Sequence, residues 1–384
     1  MAPPKLFYAP TEANNRLISK TPILLRHYMP SILSWNAHAA GFFGYVKLPG
    51  KRPHSSERVT MRDGGTVSLS WSAPPVEGQA VVLLLPGINN DTRLPYVRHL
   101  MRVLQQEGHT VAALDWRGLA EAGPLTGTTC TPRPYCAACD LDVSDVLNHL
   151  HAKLPSSRLY AVGFSLGAGM LLRHMGEAAD ACLLSAAMAV SPSLDVGANY
   201  RHMAGGLTKL YLPVIMLPLL GYLFRHRREL STGDAPISFF RDVLPAMTTG
   251  QFGLDAIYSR AWGIDGVSAY HARGSAVHVL PDIRRTTLIV HSADDPICPA
   301  DAMPLQTMAA NPHIITALTR HGGHMGYTAG ISPLTHTWTD RLLVNFLRSV
   351  NAPPTNTKAT RSINDAAATG APPPAQIFSV PSRL

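Results

Sequence analysis

Charge is scarce in this sequence. Asp, Glu, Lys and Arg make up only 15% of its 384 residues, while 46% are hydrophobic. Such a chain can bury a large core, which excludes a largely disordered protein. Cysteine is sparse too. Five cysteines, an odd number at irregular spacing, make no disulfide framework, and Cys136-x-x-Cys139 has no second pair at zinc-ligand spacing. Both read as reduced thiols near the start of a helix, and no metal or cofactor is expected. No apolar segment of signal-peptide length follows Met1. Asn90-Asp91-Thr92 matches a glycosylation sequon, yet the expected compartment is reducing. The most apolar stretch, Leu210 to Phe224, is interrupted by Pro213 and Pro218, too short and too broken for a membrane span.

The chain is nevertheless basic, with 33 Lys and Arg against 25 Asp and Glu, a net charge of +8. The cations fall in short clusters such as Arg225-His226-Arg227-Arg228 rather than in a long stripe. No nucleic acid partner is expected, and transient contact with an anionic membrane surface fits better.

Apolar runs alternate with helical patterns along most of the chain. Glu57 to Ser72 reads as a β-hairpin turning at Asp63-Gly64-Gly65. Ala80–Leu85, Val111–Leu114, Leu159–Val162, Ala181–Val190, Thr286–His291 and Ile314–Thr319 read as further strands. Helical spacing covers Tyr96–Gln106, Asp140–Leu154, Leu166–Glu177 and Leu334–Val350. This alternation predicts an α/β fold, a mostly parallel doubly wound sheet. Residues 1–55 lack clear periodicity and are read as an extension packing on a body that spans 56–350. Residues 191–279 break the alternation after the sixth strand and are expected to form a helical cap, with Leu210 to Phe224 lining an acyl pocket. Pro-, Ala- and Thr-rich residues 351–384 read as a disordered tail.

One stretch carries most of the chemistry. Gly163-Phe164-Ser165-Leu166-Gly167 lies between a strand and a helix, the setting of a nucleophile elbow. A serine hydroxyl needs a base, and the base needs a carboxylate to orient it. In the required chain order, Ala293-Asp294-Asp295-Pro296 follows one strand and His321-Gly322-Gly323-His324 follows the next. Asp295 is favoured as the acid because Asp-Pro-x-x-Pro places it at a turn, leaving Asp294 as a turn-capping carboxylate. His324 is favoured as the base because two glycines form the loop tip before it. His321 and His291 are read as structural. The oxyanion donors are expected to be the backbone N–H groups of Leu166 and Ile88.

The chain resembles the YheT-like, ABHD branch of the α/β-hydrolases from about Trp35 to Val350. The resemblance rests on Leu85-Pro86-Gly87 with Tyr96-Val97-Arg98, on Asp115-Trp116-Arg117-Gly118, on the elbow continuing to Ala168-Gly169, on Asp294-Asp295-Pro296 and on Gly322-Gly323-His324-Met325-Gly326. Two positions depart from that family. Pro86-Gly87-Ile88-Asn89-Asn90 replaces a loop that often carries Leu-Thr-Gly, and Asp115 stands where Asn is common. The resemblance implies an α/β-hydrolase fold and a serine esterase or lipase acting on carboxylic esters, often lipids such as monoacylglycerols. An acyltransferase using the same acyl-serine is the alternative, and a catalytically idle binding protein is the reading from another class. The tail ends Ser382-Arg383-Leu384, a variant of the Ser-Lys-Leu address read by the peroxisomal import receptor. A peroxisomal location is therefore expected, and otherwise a cytoplasmic one.

Overall fold

The computed structural model describes residues 2–351 except 35, 124, 126–131, 140, 233–234 and 336. Trp35, the tail from 352 and its terminal tripeptide lie outside the described residues. Nine strands form one sheet: β1 (Lys5–Tyr8), β2 (Ser55–Thr60), β3 (Thr66–Trp71), β4 (Val81–Leu85), β5 (Thr110–Asp115), β6 (Leu159–Phe164), β7 (Leu184–Val190), β8 (Thr286–Ser292) and β9 (Ile314–Thr319). Their order is β1-β9-β8-β7-β6-β4-β5-β3-β2. The six strands from β9 to β5 in that order pair in parallel, whereas β1 and the β2–β3 hairpin are antiparallel at the two ends.

Before the hairpin come α1 (Glu12–Lys20) and α2 (Ala37–Tyr45). Flanking the sheet are α3 (Pro95–Gln106), α4 (Leu141–Lys153) and α5 (Leu166–Ala178). Between β7 and β8 lie α6 (Val196–Met203), α7 (Tyr211–Arg225), the single turns α8 (Arg227–Leu230) and α9 (Leu244–Ala246), α10 (Gln251–Ala261) and α11 (Gly266–Gly274). The chain then adds α12 (Leu305–Ala310) and α13 (Trp338–Asn351).

Both faces of the central strands are covered, which is why they read as unbroken apolar runs. In β4, Val81, Leu83 and Leu85 face α4, α5 and the helices that follow β7. Val82 and Leu84 face the opposite layer, with Val97 and Leu100 of α3 and Leu342, Leu343 and Phe346 of α13. The period of two thus divides one strand between two cores. This is the α/β-hydrolase fold.

Two expectations need correction. Residues 1–55 are not aperiodic packing: β1 extends the sheet through the register Lys5↔Leu318 to Tyr8↔Ile315, and α1 buries Leu17 and Ile18. A four-residue edge strand is too short to show a period. The helical insertion follows the strand ending at Val190, as expected; that strand becomes the seventh only because β1 is counted. The last helix begins at Trp338, not Leu334. Thr337 N–H donates to Asp340 Oδ2 at 2.7 Å and Asp340 N–H to Thr337 Oγ1 at 3.0 Å, a reciprocal cap that fixes the start.

Candidate active site

Ser165 sits where β6 turns into α5, with φ of 51°, a left-handed conformation that a serine holds only under constraint. Its flanking glycines follow from close approach. A Cβ on Gly163 would lie 2.6 Å from Ala168 Cα, and one on Gly167 would lie 2.4 Å from the carbonyl oxygens of Leu85 and Pro86. Side chains at either position would push the turn off the sheet. Strain also gathers around the serine. Among the described residues, Asn89, Ser191, Met325 and Tyr327 have positive φ as well, and all lie on loops at the carboxyl ends of strands.

The structure brings Ser165, His324 and Asp295 together. His324 Nε2 lies 2.8 Å from Ser165 Oγ, and its Nδ1 lies 2.8 Å from Asp295 Oδ2 and 3.1 Å from Oδ1. All three residues are buried. Asp295 Oδ1 also accepts the N–H groups of Ile297 and Cys298, each at 2.9 Å. Burial opposes the charge on Asp295, but His324, then His291 and the Cys298 amide, outweigh it and hold the carboxyl below its usual value. An imidazole placed in this way can accept the serine proton through Nε2 while the carboxylate keeps the remaining proton on Nδ1.

The two aspartates divide their work differently from the expectation. Asp295 itself caps the turn at Ile297 and Cys298. Asp294 instead reaches across to the histidine loop, where Oδ1 accepts Gly323 N–H at 2.9 Å and Oδ2 meets His321 Nδ1 at 3.2 Å. His321 is therefore paired, outside the triad. His291 is buried and donates through Nε2 to the Cys298 carbonyl at 2.9 Å, supporting the loop that carries Asp295.

Ile88 and Leu166 line the cavity beside Ser165. Leu166 is the first residue of α5, so its N–H has no acceptor within the helix. The loop holding Ile88 is fastened by side chains from outside it. Trp116 Nε1 donates to the Pro86 carbonyl at 3.2 Å, and Tyr96 Oη accepts Gly87 N–H at 3.3 Å and Asn90 Nδ2 at 3.0 Å. Tyr135 Oη accepts Asn89 N–H at 2.9 Å and donates to Asn89 Oδ1 at 2.5 Å. Asp115 accepts from Thr92 N–H at 2.8 Å and from the Thr92 and Ser70 hydroxyls at 3.1 Å. Burial of Asp115, eased by Thr92, pushes its carboxyl up to about 6. Asn90 of the sequon is buried and spent on Tyr96, which leaves no acceptor for a glycan in the folded chain.

Sequence reasoning missed a second support, helix α2. Its Ala37 and Ala40 carbonyls would lie 2.2 and 2.3 Å from a Cβ on Gly323 and Gly326, and a Cβ on Gly44 would lie 2.8 Å from Gly326 Cα. The N-terminal extension thus seats directly on the His324 loop. The glycines at Gly41 and Gly44, poor helix formers inside a helix, were the available signal.

A cavity of about 80 Å³ opens beside Ser165. Ile88, Leu166, Val196, Met203, Ile215 and Leu219 give it apolar walls, and α7 supplies the last two. Leu210 to Phe224 thus contributes to the cavity through its inner face. Asp295, Cys298 and His324 each bring one donor atom within 4.8 Å of the others. They do not suit a metal, because burial holds the Cys298 thiol protonated and His324 Nδ1 is already bonded to Asp295. Cys136 and Cys139 are likewise buried free thiols pushed up by burial.

The model of the family described as serine aminopeptidase, S33, matches residues 77–324. The embryogenesis-associated protein EMB8 of Picea glauca is 28% identical over 378 residues, covering 92% of this chain and 79% of that protein. Phospholipase ABHD3 of Homo sapiens is 24% identical over 337 residues, with 86% and 80% coverage. Monoacylglycerol lipase ABHD2 of Danio rerio is 24% identical over 388 residues, with 94% and 88% coverage.

Proposed function

Because the chain belongs to the serine aminopeptidase S33 family of α/β-hydrolases, we propose that it hydrolyses carboxylic esters of single acyl chains through an acyl-serine at Ser165. The observation that carries this reading is the continuous 2.8 Å chain from Ser165 Oγ through His324 to Asp295, opening on a narrow apolar cavity. The relatives named phospholipase and monoacylglycerol lipase support an ester as the bond attacked.

Ser165 Oγ attacks the acyl carbon as His324 Nε2 takes its proton. The tetrahedral oxyanion turns toward the N–H groups of Leu166 and Ile88, each such donor worth roughly 2.7–4 kcal/mol of barrier lowering. His324 returns the proton to the leaving alcohol, and water activated by the same imidazole releases the acid. Asp295 fixes the tautomer and stabilises the imidazolium throughout.

Cavity size supports the single-chain reading. At about 80 Å³, against roughly 300–1,000 Å³ for a typical ligand pocket, the small cavity supports a single acyl chain as the group held beside Ser165. The test is kcat/KM over p-nitrophenyl esters of graded chain length beside aminoacyl p-nitroanilides. Turnover is expected to rise from acetyl to medium chains, with the anilides far slower. Faster cleavage of the anilides would overturn the ester assignment, and turnover of acetyl esters alone would overturn the acyl-cavity role.

A further inference from the structure

Helix α7 has two apolar faces. The inner one lines the cavity through Ile215 and Leu219. On the outer one, Val214 and Leu217 are 67 and 64% exposed, and exposed Pro213, Pro218, Gly221 and Phe224 continue it; Leu210, in the turn just before the helix, is 72% exposed. No charge interrupts this face until Arg225. A soluble helix ordinarily turns its polar residues outward, so the outer side of α7 is the reverse of what water selects.

A second apolar patch lies beside it on the N-terminal extension, with Ile32 81% and Phe42 63% exposed. His38 Nδ1 meets Tyr211 Oη at 2.5 Å, with the two rings stacked, and so joins the two patches. His38 and Phe42 are one turn apart on α2, as Tyr211 and Val214 are on α7. Together they make one apolar surface built from two distant parts of the chain, next to the loop that carries His324.

Charge distribution identifies what covers it. Residues 13–56 and 196–228 hold 11 of the 33 Lys and Arg and none of the 25 Asp and Glu. The remainder of the chain has 22 cations against 25 anions. The net positive charge of the protein therefore resides in the two segments that carry the exposed apolar face, with Lys47 alone of these buried. Among the described residues no single helix is long and apolar enough to cross a membrane.

We propose that this surface docks on an anionic lipid bilayer, with Leu210, Val214, Leu217 and Phe42 among the headgroups and Arg225, Arg227 and Arg228 against their negative charge. A second copy of the chain would present the same cations and repel. Docking here sets the cavity wall, α7, against the lipid, so an acyl ester can pass from the bilayer toward Ser165. The proposal deepens the ester-hydrolase reading by naming the phase that supplies the substrate.

Vesicle co-sedimentation of the full chain tests it, using phosphatidylcholine vesicles with and without phosphatidylserine at low and high salt. Wild type is expected to partition onto the phosphatidylserine vesicles and to be released by salt. V214D/L217D should bind at least about tenfold more weakly. R225Q/R227Q/R228Q should lose on the order of fivefold per arginine at low salt. V214S/L217S repeats the first test with a milder change, and circular dichroism checks folding. Turnover of soluble p-nitrophenyl butyrate should be unchanged in V214D/L217D, so a wild type inactive on that ester would count against the ester reading and not against docking. The proposal is overturned if wild type ignores phosphatidylserine vesicles or if the variants partition as wild type does. A wild-type dimer in analytical ultracentrifugation that V214D/L217D dissolves would also overturn it.

Discussion

Replacing Asp295 with Asn changes one atom and should nearly abolish activity. Two backbone N–H groups, those of Ile297 and Cys298, donate to Oδ1. In D295N the amide oxygen must stay at that position, because an NH2 group there would face two donors. The NH2 then occupies the Oδ2 position, 2.8 Å from His324 Nδ1, and donates to it. Nδ1 becomes an acceptor, the ring proton moves to Nε2, and Nε2–H points at Ser165 Oγ. The base is then in the wrong tautomer, and the expected loss is roughly 10⁴-fold in kcat, or about 5.5 kcal/mol. KM should change little, since Asp295 is not exposed to the acyl chain. The assay is steady-state turnover of p-nitrophenyl butyrate with the melting temperature measured on the same samples. D294N serves as the comparison: its side-chain oxygen can still accept Gly323 N–H, so the loss should stay below about tenfold. A folded D295N enzyme within tenfold of wild type, or a D294N enzyme as impaired as D295N, would refute the assignment of the acid and the tautomer argument with it.

Other changes test the supports of the site. Tyr135→Phe removes both bonds to Asn89 and loosens the Ile88 loop; kcat should fall roughly 10²-fold with KM nearly constant, as read by steady-state kinetics. Asp115→Asn tests the buried carboxylate whose pKa is raised to about 6. A carboxyl raised in the folded state contributes stability below its unfolded pKa near 4, and that contribution is lost as pH rises through about 6. Wild type should therefore weaken between pH 4 and 6 by up to about 3 kcal/mol, and D115N should lack that slope in urea unfolding across pH. Arg117 is buried and bonded to Asp142 and Asp63. Arg117→Met leaves Asp142 without its buried cation and should cost about 3–5 kcal/mol in urea unfolding, with kcat of the remaining folded fraction unchanged.

The central strands were legible because burial on both faces writes them as continuous apolar runs, as in Val81–Leu85. The elbow, the acid and the histidine were legible because each follows such a strand, and because Gly163 and Gly167 are demanded by contacts within a few residues or with the adjacent strand. What stayed hidden was nonlocal. Nothing near Tyr135 in sequence announces its hold on Asn89, 46 residues away. The choice between Asp294 and Asp295 rested on turn type, and the actual turn-capping role fell to the catalytic candidate because its two oxygens serve the turn and the imidazole at once. Helix α2 was obscured by Gly41 and Gly44, which weaken its local signal in order to let the His324 loop approach. That conflict between propensity and structure marks a contact that the fold requires, α2 seated on the His324 loop.

The most direct test of the central claim is covalent. Intact-mass analysis after treatment with a fluorophosphonate, followed by peptide mapping, should show one adduct on the peptide containing Ser165. Labelling should be absent in Ser165→Ala and slowed by orders of magnitude in His324→Ala. A folded wild-type protein that takes no label, or a label that maps to another residue and persists in Ser165→Ala, would contradict the account.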